Sequence, residues 1–181
     1  MIECFVFIAA SLDGFIARSN GDISWLDASA PLIEGEDYNF AEFYSSVDAL
    51  AMGRKTYETA LGFAKWPYAG KRVVVLSHTA PVIPSNLPGS VEWMSGSPTE
   101  VVQRLGASGA RRVYVDGGQT IQGFLQAGLI NEITLTTIPI LLGGGIPLFG
   151  SFKRELALQL LNSKTYPNGF VQTKYKVIPS N

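Results

Sequence analysis

The sequence predicts one α/β domain with a mainly parallel central sheet, helices on both faces and a C-terminal antiparallel hairpin. Short apolar, β-branched runs alternate with amphipathic helical runs through the middle of the chain, as strand–helix–strand units of a parallel sheet do. Two alternating runs then flank Pro167-Asn168-Gly169 and read as the hairpin. With 181 residues, 46% hydrophobic and 16% charged, the chain has enough material for one sizeable core and too little for two. No repeat, low-complexity tract or linker divides it, so residues 1–181 are expected to form a single domain.

The continuous apolar run 4–10 reads as a strand covered on both faces. Residues 11–17 read as an irregular loop, and Asn20-Gly21 marks a turn. Residues 25–37 lack periodicity and end in acidic, glycine-containing sequence, which suggests a surface loop or lid. Phe40, Phe43, Tyr44 and Val47 fall at i, i+3, i+4 and i+7, one face of an amphipathic helix. Residues 48–52 form the next strand; Gly53 turns it into a helix through Leu61, stopped by Gly62. A turn at 68–70 leads into the strand 72–76, followed by a proline-punctuated loop at 81–88. A short strand at 91–94 precedes a helix near 99–105, with Ser97 or Thr99 placed to cap it. Residues 113–116 read as a buried strand, and Gly117-Gly118 opens a helix with Ile121, Phe124 and Leu125 at helical spacing and Gly128 to end it. Residues 132–138 are a strand, 141–147 a glycine loop, and 156–161 with 170–177 the closing hairpin.

Composition narrows the function classes. A net charge of −1 without a basic stripe gives no support to nucleic-acid binding. The single cysteine, Cys4, excludes an internal disulfide and a cysteine-based zinc site, and the single histidine, His78, cannot build a multi-histidine centre, so no metal is expected. Glu3 precedes the N-terminal apolar run and Asp13 closes it early, the wrong flank for export and too short a run for a bilayer. A cytoplasmic protein without membrane contact is expected.

The chemistry gathers at strand ends. Gly117-Gly118 lets the backbone approach a ligand and aims the first N–H groups of a helix at it, a geometry that favours an anion. The bland alternative is an ordinary strand-to-helix turn with Asp116 as N-cap. A second turn carries Gly53, Arg54, Lys55 and Thr56; two cations at a helix N-terminus are unfavourable unless an anion offsets them. The strand 72–76 ends in Ser77-His78-Thr79, hydroxyls and an imidazole where parallel sheets bind ligands. Three such ends on one sheet edge match the needs of a dinucleotide bearing a 2′-phosphate. Neither the phosphate-loop pattern nor the Gly-x-Gly-x-x-Gly pattern is present.

Five segments stand in a familiar order: Ala9-Ala10-x-Leu12-Asp13-Gly14-x-Ile16-Ala17, Met52-Gly53-Arg54-Lys55-Thr56-Tyr57-Glu58, the run 70–77 (Gly-Lys-Arg-Val-Val-Val-Leu-Ser), Val115-Asp116-Gly117-Gly118, and Pro-Ile-Leu-Leu-Gly-Gly-Gly-Ile-Pro-Leu-Phe at 139–149. The chain resembles the dihydrofolate reductase-like fold, nearest to the reductase domain of the bifunctional riboflavin-biosynthesis deaminase-reductase and its stand-alone relatives. That resemblance implies NADPH as hydride donor. It implies Gly53, Arg54, Lys55 and Thr56 at the phosphates, with Arg54 on the 2′-phosphate, and Ser77, His78 and Thr79 around the adenosine end. Gly117, Gly118, Gln119 and Thr120 would cradle the pyrophosphate, and Ala9, Ala10 and Ile16 would lie against the nicotinamide. Thr136 matches a threonine beside the substrate.

Departures from the dihydrofolate reductases concern the substrate. Trp25-Leu26-Asp27 is followed by Ala-Ser-Ala-Pro, so Asp27 is a loose counterpart of the pterin-binding carboxylate. Lys71 stands where an arginine clamps folate, and a lysine cannot reproduce that bidentate fork. Asp116 occupies a position that is apolar in dihydrofolate reductases and acidic in the riboflavin-type domains. A helix N-terminus lowers its pKa and burial raises it; orientation of the substrate is the favoured role. The implied activity is NADPH-dependent reduction of a small nitrogen heterocycle, ribosylaminopyrimidine- or pterin-like, with a homodimer compatible. A true dihydrofolate reductase and a non-catalytic nucleotide-binding module remain the alternatives.

Overall fold

The computed structural model describes residues 2–28, 31–152 and 154–179. The first apolar run forms β1 (Glu3–Ser11), which pairs in parallel with β6 (Arg112–Asp116) on one side and β7 (Ile130–Ile138) on the other. Beyond β6 lie β3 (Ala49–Gly53), β4 (Arg72–Leu76) and β5 (Ser90–Met94), all parallel. Beyond β7 an antiparallel hairpin of β10 (Val171–Val177) and β9 (Leu158–Thr165) completes eight strands in the order β5-β4-β3-β6-β1-β7-β10-β9. The expected α/β architecture and closing hairpin are present, with β9 displaced toward the C-terminus from the expected 156–161.

Alternation along the strands divides the core between two faces. Phe5, Leu50, Met52, Val73, Val75 and Tyr114 point to the face covered by α2 (Phe40–Ser46) and α3 (Arg54–Leu61), where Phe40, Phe43, Tyr44 and Tyr57 meet them. Cys4, Val6, Ala49, Ala51, Val74, Val113 and Val115 point the other way, under α4 (Pro98–Ala107) and α5 (Gly118–Gln126). Burial among these residues pushes the Cys4 thiol up to about 12, so it stays protonated and apolar in behaviour. Ser97 caps α4 in a reciprocal box with Glu100, as its spacing predicts.

Two expectations are corrected. The segment 11–17 is not wholly irregular: β2 (Phe15–Ala17) pairs with β8 (Ile146–Pro147) of the glycine loop in a small antiparallel sheet. Nor does the segment 25–37 begin as a surface loop. It opens with one helical turn, α1 (Trp25–Ala28), anchored by Trp25, which is 1% exposed and packs with Ile138, Tyr166 and Phe170. A single large aromatic supplies that anchor without any periodicity to announce it. Ser29 and Ala30 of this segment lie outside the described residues. No described helix is long and apolar enough to cross a membrane.

Candidate active site

The strand order brings the predicted turns side by side. Gly53 aligns with Leu76, directly before Ser77, and Met52 aligns with Asp116. The turns after β4, β3 and β6 therefore sit on one edge, at the carboxyl ends of parallel strands. The turns after β3 and β6 also interlock. Gly117 has φ of 89°, and a Cβ there would overlap the Thr56 hydroxyl; a Cβ at Gly53 would sit 3.0 Å from Thr120 Oγ1. Gly118 is equally confined, since a Cβ would come 2.9 Å from the Pro147 carbonyl and 3.0 Å from Ile16 Cδ1.

The start of α3 and the start of α5 therefore open next to each other, and no side chain caps either one. Their first-turn N–H groups form a positive, glycine-lined edge suited to an extended anion. Arg54 stands exposed at this edge, with Nε donating to Glu58 at 2.7 Å and Nη1 to Thr79 Oγ1 at 3.2 Å. Lys55, His78, Thr79 and Gln119 are exposed beside it, and Ser77, Thr56 and Thr120 half-buried. Trp93 Nε1 donates to the Ser77 carbonyl at 2.8 Å and fixes the turn after β4.

A second polar group lies on the face of the sheet that carries α2. Asp116 shares that face with Tyr114, two residues earlier on β6. It is not the helix cap: Gly117 holds the N-cap position of α5, and Asp116 Oδ1 accepts from the Gly117 N–H at 2.8 Å. Asp116 Oδ2 accepts from the Tyr68 hydroxyl at 3.0 Å, while the Tyr114 hydroxyl donates to the Phe7 carbonyl at 2.9 Å. Burial raises the Asp116 pKa, opposed by the hydrogen bonds from Tyr68 and the Gly117 N–H and by the neighbouring Tyr114 hydroxyl.

Thr136, 6% exposed, lies opposite Ala9 across the β1–β7 pair and accepts from Gln172 Nε2 at 3.0 Å. That amide also donates to the Tyr38 carbonyl, and Asn39 Nδ2 donates to Gln172 Oε1, tying β7 to the start of α2. Tyr38 and Asn39 take positive φ of 56° and 65° there. Ala9 belongs to the same face as Thr136, whereas Ala10 points the other way toward Ile16, so the two alanines do not present their side chains together. Asp27 stands exposed on α1 and is not among the groups bonded to Asp116.

Two features escaped the sequence reading. Tyr68, read as part of a turn, is 8% exposed and bonded to Asp116; one aromatic in a loop gives no periodic signal. Asp13 accepts from Ser11 Oγ at 2.6 Å, from the Leu142 N–H at 3.1 Å and from the Gly143 N–H at 2.8 Å, clasping the glycine loop to the end of β1. Lys71 donates to the Val47 carbonyl at 2.6 Å and lies 5.2 Å from the centre of the Tyr44 ring, so its charge is spent at the end of α2. Among the described residues, no group of three or more His, Cys, Asp or Glu could hold a metal ion.

YwjB of Bacillus subtilis (strain 168), an uncharacterized protein, is 32% identical over 164 residues, covering 89% of this chain and 90% of that protein. The crystal structure of a candidate riboflavin biosynthesis protein from Shewanella sp. PV-4 superposes with a TM-score of 0.91 at 38% identity, over 98% of this chain and 100% of that one. More distant chains share the fold. The Thermotoga maritima diaminohydroxyphosphoribosylaminopyrimidine deaminase/5-amino-6-(5-phosphoribosylamino)uracil reductase gives a TM-score of 0.74 at 13% identity, over 98% of this chain and 57% of that one. Dihydrofolate reductase from Enterococcus faecalis, complexed with NADP(H), gives 0.64 at 15%, over 98% of this chain and 97% of that one. The fold is dihydrofolate reductase-like, and with residues 4–172 matching its pattern, the chain belongs to the RibD C-terminal domain family.

Proposed function

We propose that this chain is an NADPH-dependent reductase of a small nitrogen heterocycle, ribosylaminopyrimidine-like or pterin-like. The observation that carries the reading is the pair of uncapped helix starts locked together by Gly117 against Thr56 and Gly53 against Thr120. The residues present fit the cofactor: the two adjacent helix starts leave their first-turn N–H groups without a side-chain cap, the donors a pyrophosphate requires. Gly117, Gly118, Gln119 and Thr120 would hold the pyrophosphate with Gly53, Lys55 and Thr56. Arg54 would meet the 2′-phosphate, and Ser77, His78 and Thr79 the adenosine end. The end of β1 would border the nicotinamide, Ala9 through its side chain on the Thr136 face and Ala10 through its backbone, with Ile16 beyond it toward Gly118; the nicotinamide supplies the hydride when bound.

On the substrate side, Asp116 accepts hydrogen bonds from the donor edge of the ring, and Thr136 borders the same face. Lys71 is already engaged with the end of α2, which weighs against folate, whose glutamate needs a free, forked cation.

Titration of NADPH and NADH by fluorescence tests the reading. A charge-assisted contact at Arg54 is worth about 1.5–3 kcal/mol, so NADPH should bind roughly ten- to a hundredfold tighter. Equal affinities would remove Arg54 from the 2′-phosphate; no binding of either would overturn the reductase reading.

A further inference from the structure

Both Asp116 oxygens already have donors, and both donors are rigid. The Gly117 N–H on Oδ1 belongs to the backbone at the start of α5. The Tyr68 hydroxyl on Oδ2 belongs to a buried ring in the loop between α3 and β4. Trp66, also buried, stands edge-on to the Tyr68 ring with centroids 5.3 Å apart, and Tyr57 of α3 stands edge-on to Trp66 at 6.0 Å. A phenol gripped this way cannot swing away from the carboxylate without disturbing two further aromatics. Its own pKa is held well above the ordinary value by burial and by Asp116, so it stays a neutral donor. The other titratable groups facing the pair are Tyr114 from β6 and Tyr44 from α2.

We propose that Tyr68 is a positioning residue: its hydroxyl holds the Asp116 carboxylate in one rotamer as a pure acceptor, which restricts the substrate to rings presenting N–H or amino donors toward β6. A carboxylate has about four lone-pair sites; Tyr68 and Gly117 take two and leave the remaining ones in fixed directions. A ring offering a carbonyl at that edge would meet acceptor against acceptor and be rejected. The substrate half of this inference rests on the reductase reading; the Tyr68–Asp116 half does not.

The test is a carboxyl ¹³C NMR titration of aspartate-labelled protein without ligand, comparing wild type with Tyr68→Phe. Losing the phenol donor should move the Asp116 midpoint up by about one pH unit, tenfold in its ionisation equilibrium. A merely structural Tyr68 would leave that midpoint unchanged, and an unchanged midpoint overturns the proposal. In wild type alone, the Tyr68 phenol ¹³C resonance should shift with the Asp116 midpoint, which keeps the test open even if the variant folds poorly; a resonance blind to that titration also overturns it. NADPH titrated into the same samples should bind equally to both proteins, and a selective loss in Tyr68→Phe would contradict its place on the substrate side. Failure of NADPH to bind either protein counts against the reductase reading and leaves the coupling standing.

Discussion

Asp116 carries the sharpest consequence at the level of single residues. Because Gly117 and not Asp116 caps α5, replacing the acid leaves the helix start intact. Asp116→Asn should spare NADPH affinity and lower kcat/KM roughly ten- to a hundredfold, the cost of one charged hydrogen bond of about 1.5–3 kcal/mol. Full activity would move the substrate carboxylate to Asp27 or elsewhere. Stability supplies a second readout. Burial raises the Asp116 pKa in the folded state, so between the ordinary carboxylate value and the folded value the unfolded chain holds fewer protons. Wild-type stability must then fall as pH rises through that window, because ionising a half-buried, partly desolvated acid costs the folded state. Asp116→Asn lacks the titrating group and should gain on wild type in thermal unfolding as the pH is raised from the carboxylate range toward neutrality. A constant difference across that range would mean that Asp116 titrates alike in both states.

Two turns that look ordinary separately make a candidate site together. Thr56 sits in the first turn of α3 yet fills the space over Gly117, and Thr120 of α5 does the same for Gly53. Gly117→Ala should destabilise by about 1–3 kcal/mol, from positive φ and from overlap with Thr56. Thr56→Ala should relieve the overlap alone, so the double variant should recover part of the loss in denaturant unfolding while NADPH binding stays impaired; strict additivity would show that the turns do not interlock. The clasp at Asp13 works similarly between loops. Its pKa is lowered, first by the Ser11 hydroxyl and then by the Gly143 and Leu142 N–H groups, so the clasp holds above the ordinary carboxylate range and is lost as pH falls below it. Asp13→Asn should speed amide exchange at Gly143 at neutral pH; unchanged exchange would mean the loop holds without it. Sequence alone revealed the glycines, the Arg-Lys-Thr helix start and the strand ends, because each leaves a local mark. It did not reveal Tyr68 above Asp116, the Asp13 clasp or the anchoring of Trp25. Those contacts join segments far apart in the chain through single side chains, where no periodicity exists to read.

At the scale of the whole molecule, the site is a property of strand order. Residues 53–56, 77–79 and 117–120 are separated in sequence and meet only because β6 inserts between β3 and β1. The chain runs outward through β3, β4 and β5 and returns by α4, so the last strand of that edge to be placed carries the Gly117 turn. A ligand spanning the three turns would bind the folded sheet and have no counterpart in the unfolded chain. Binding must then raise global stability by mass action, about 2.7 kcal/mol at a hundred times Kd. For a domain of this size each kcal/mol moves Tm by roughly 2–4 °C, so saturating NADPH should raise Tm by roughly 5–10 °C. NADH at the same concentration should raise it less, losing up to about 1.4 kcal/mol of stabilisation for each tenfold of weaker binding. Gly117→Ala should lose most of the shift even where its own Tm is only modestly lower, because the added methyl group overlaps Thr56 and would disturb the joined starts of α3 and α5. Differential scanning fluorimetry across a cofactor series measures all three. A wild-type Tm indifferent to NADPH would mean that the three turns are joined by packing alone, and the reductase reading would fall with it.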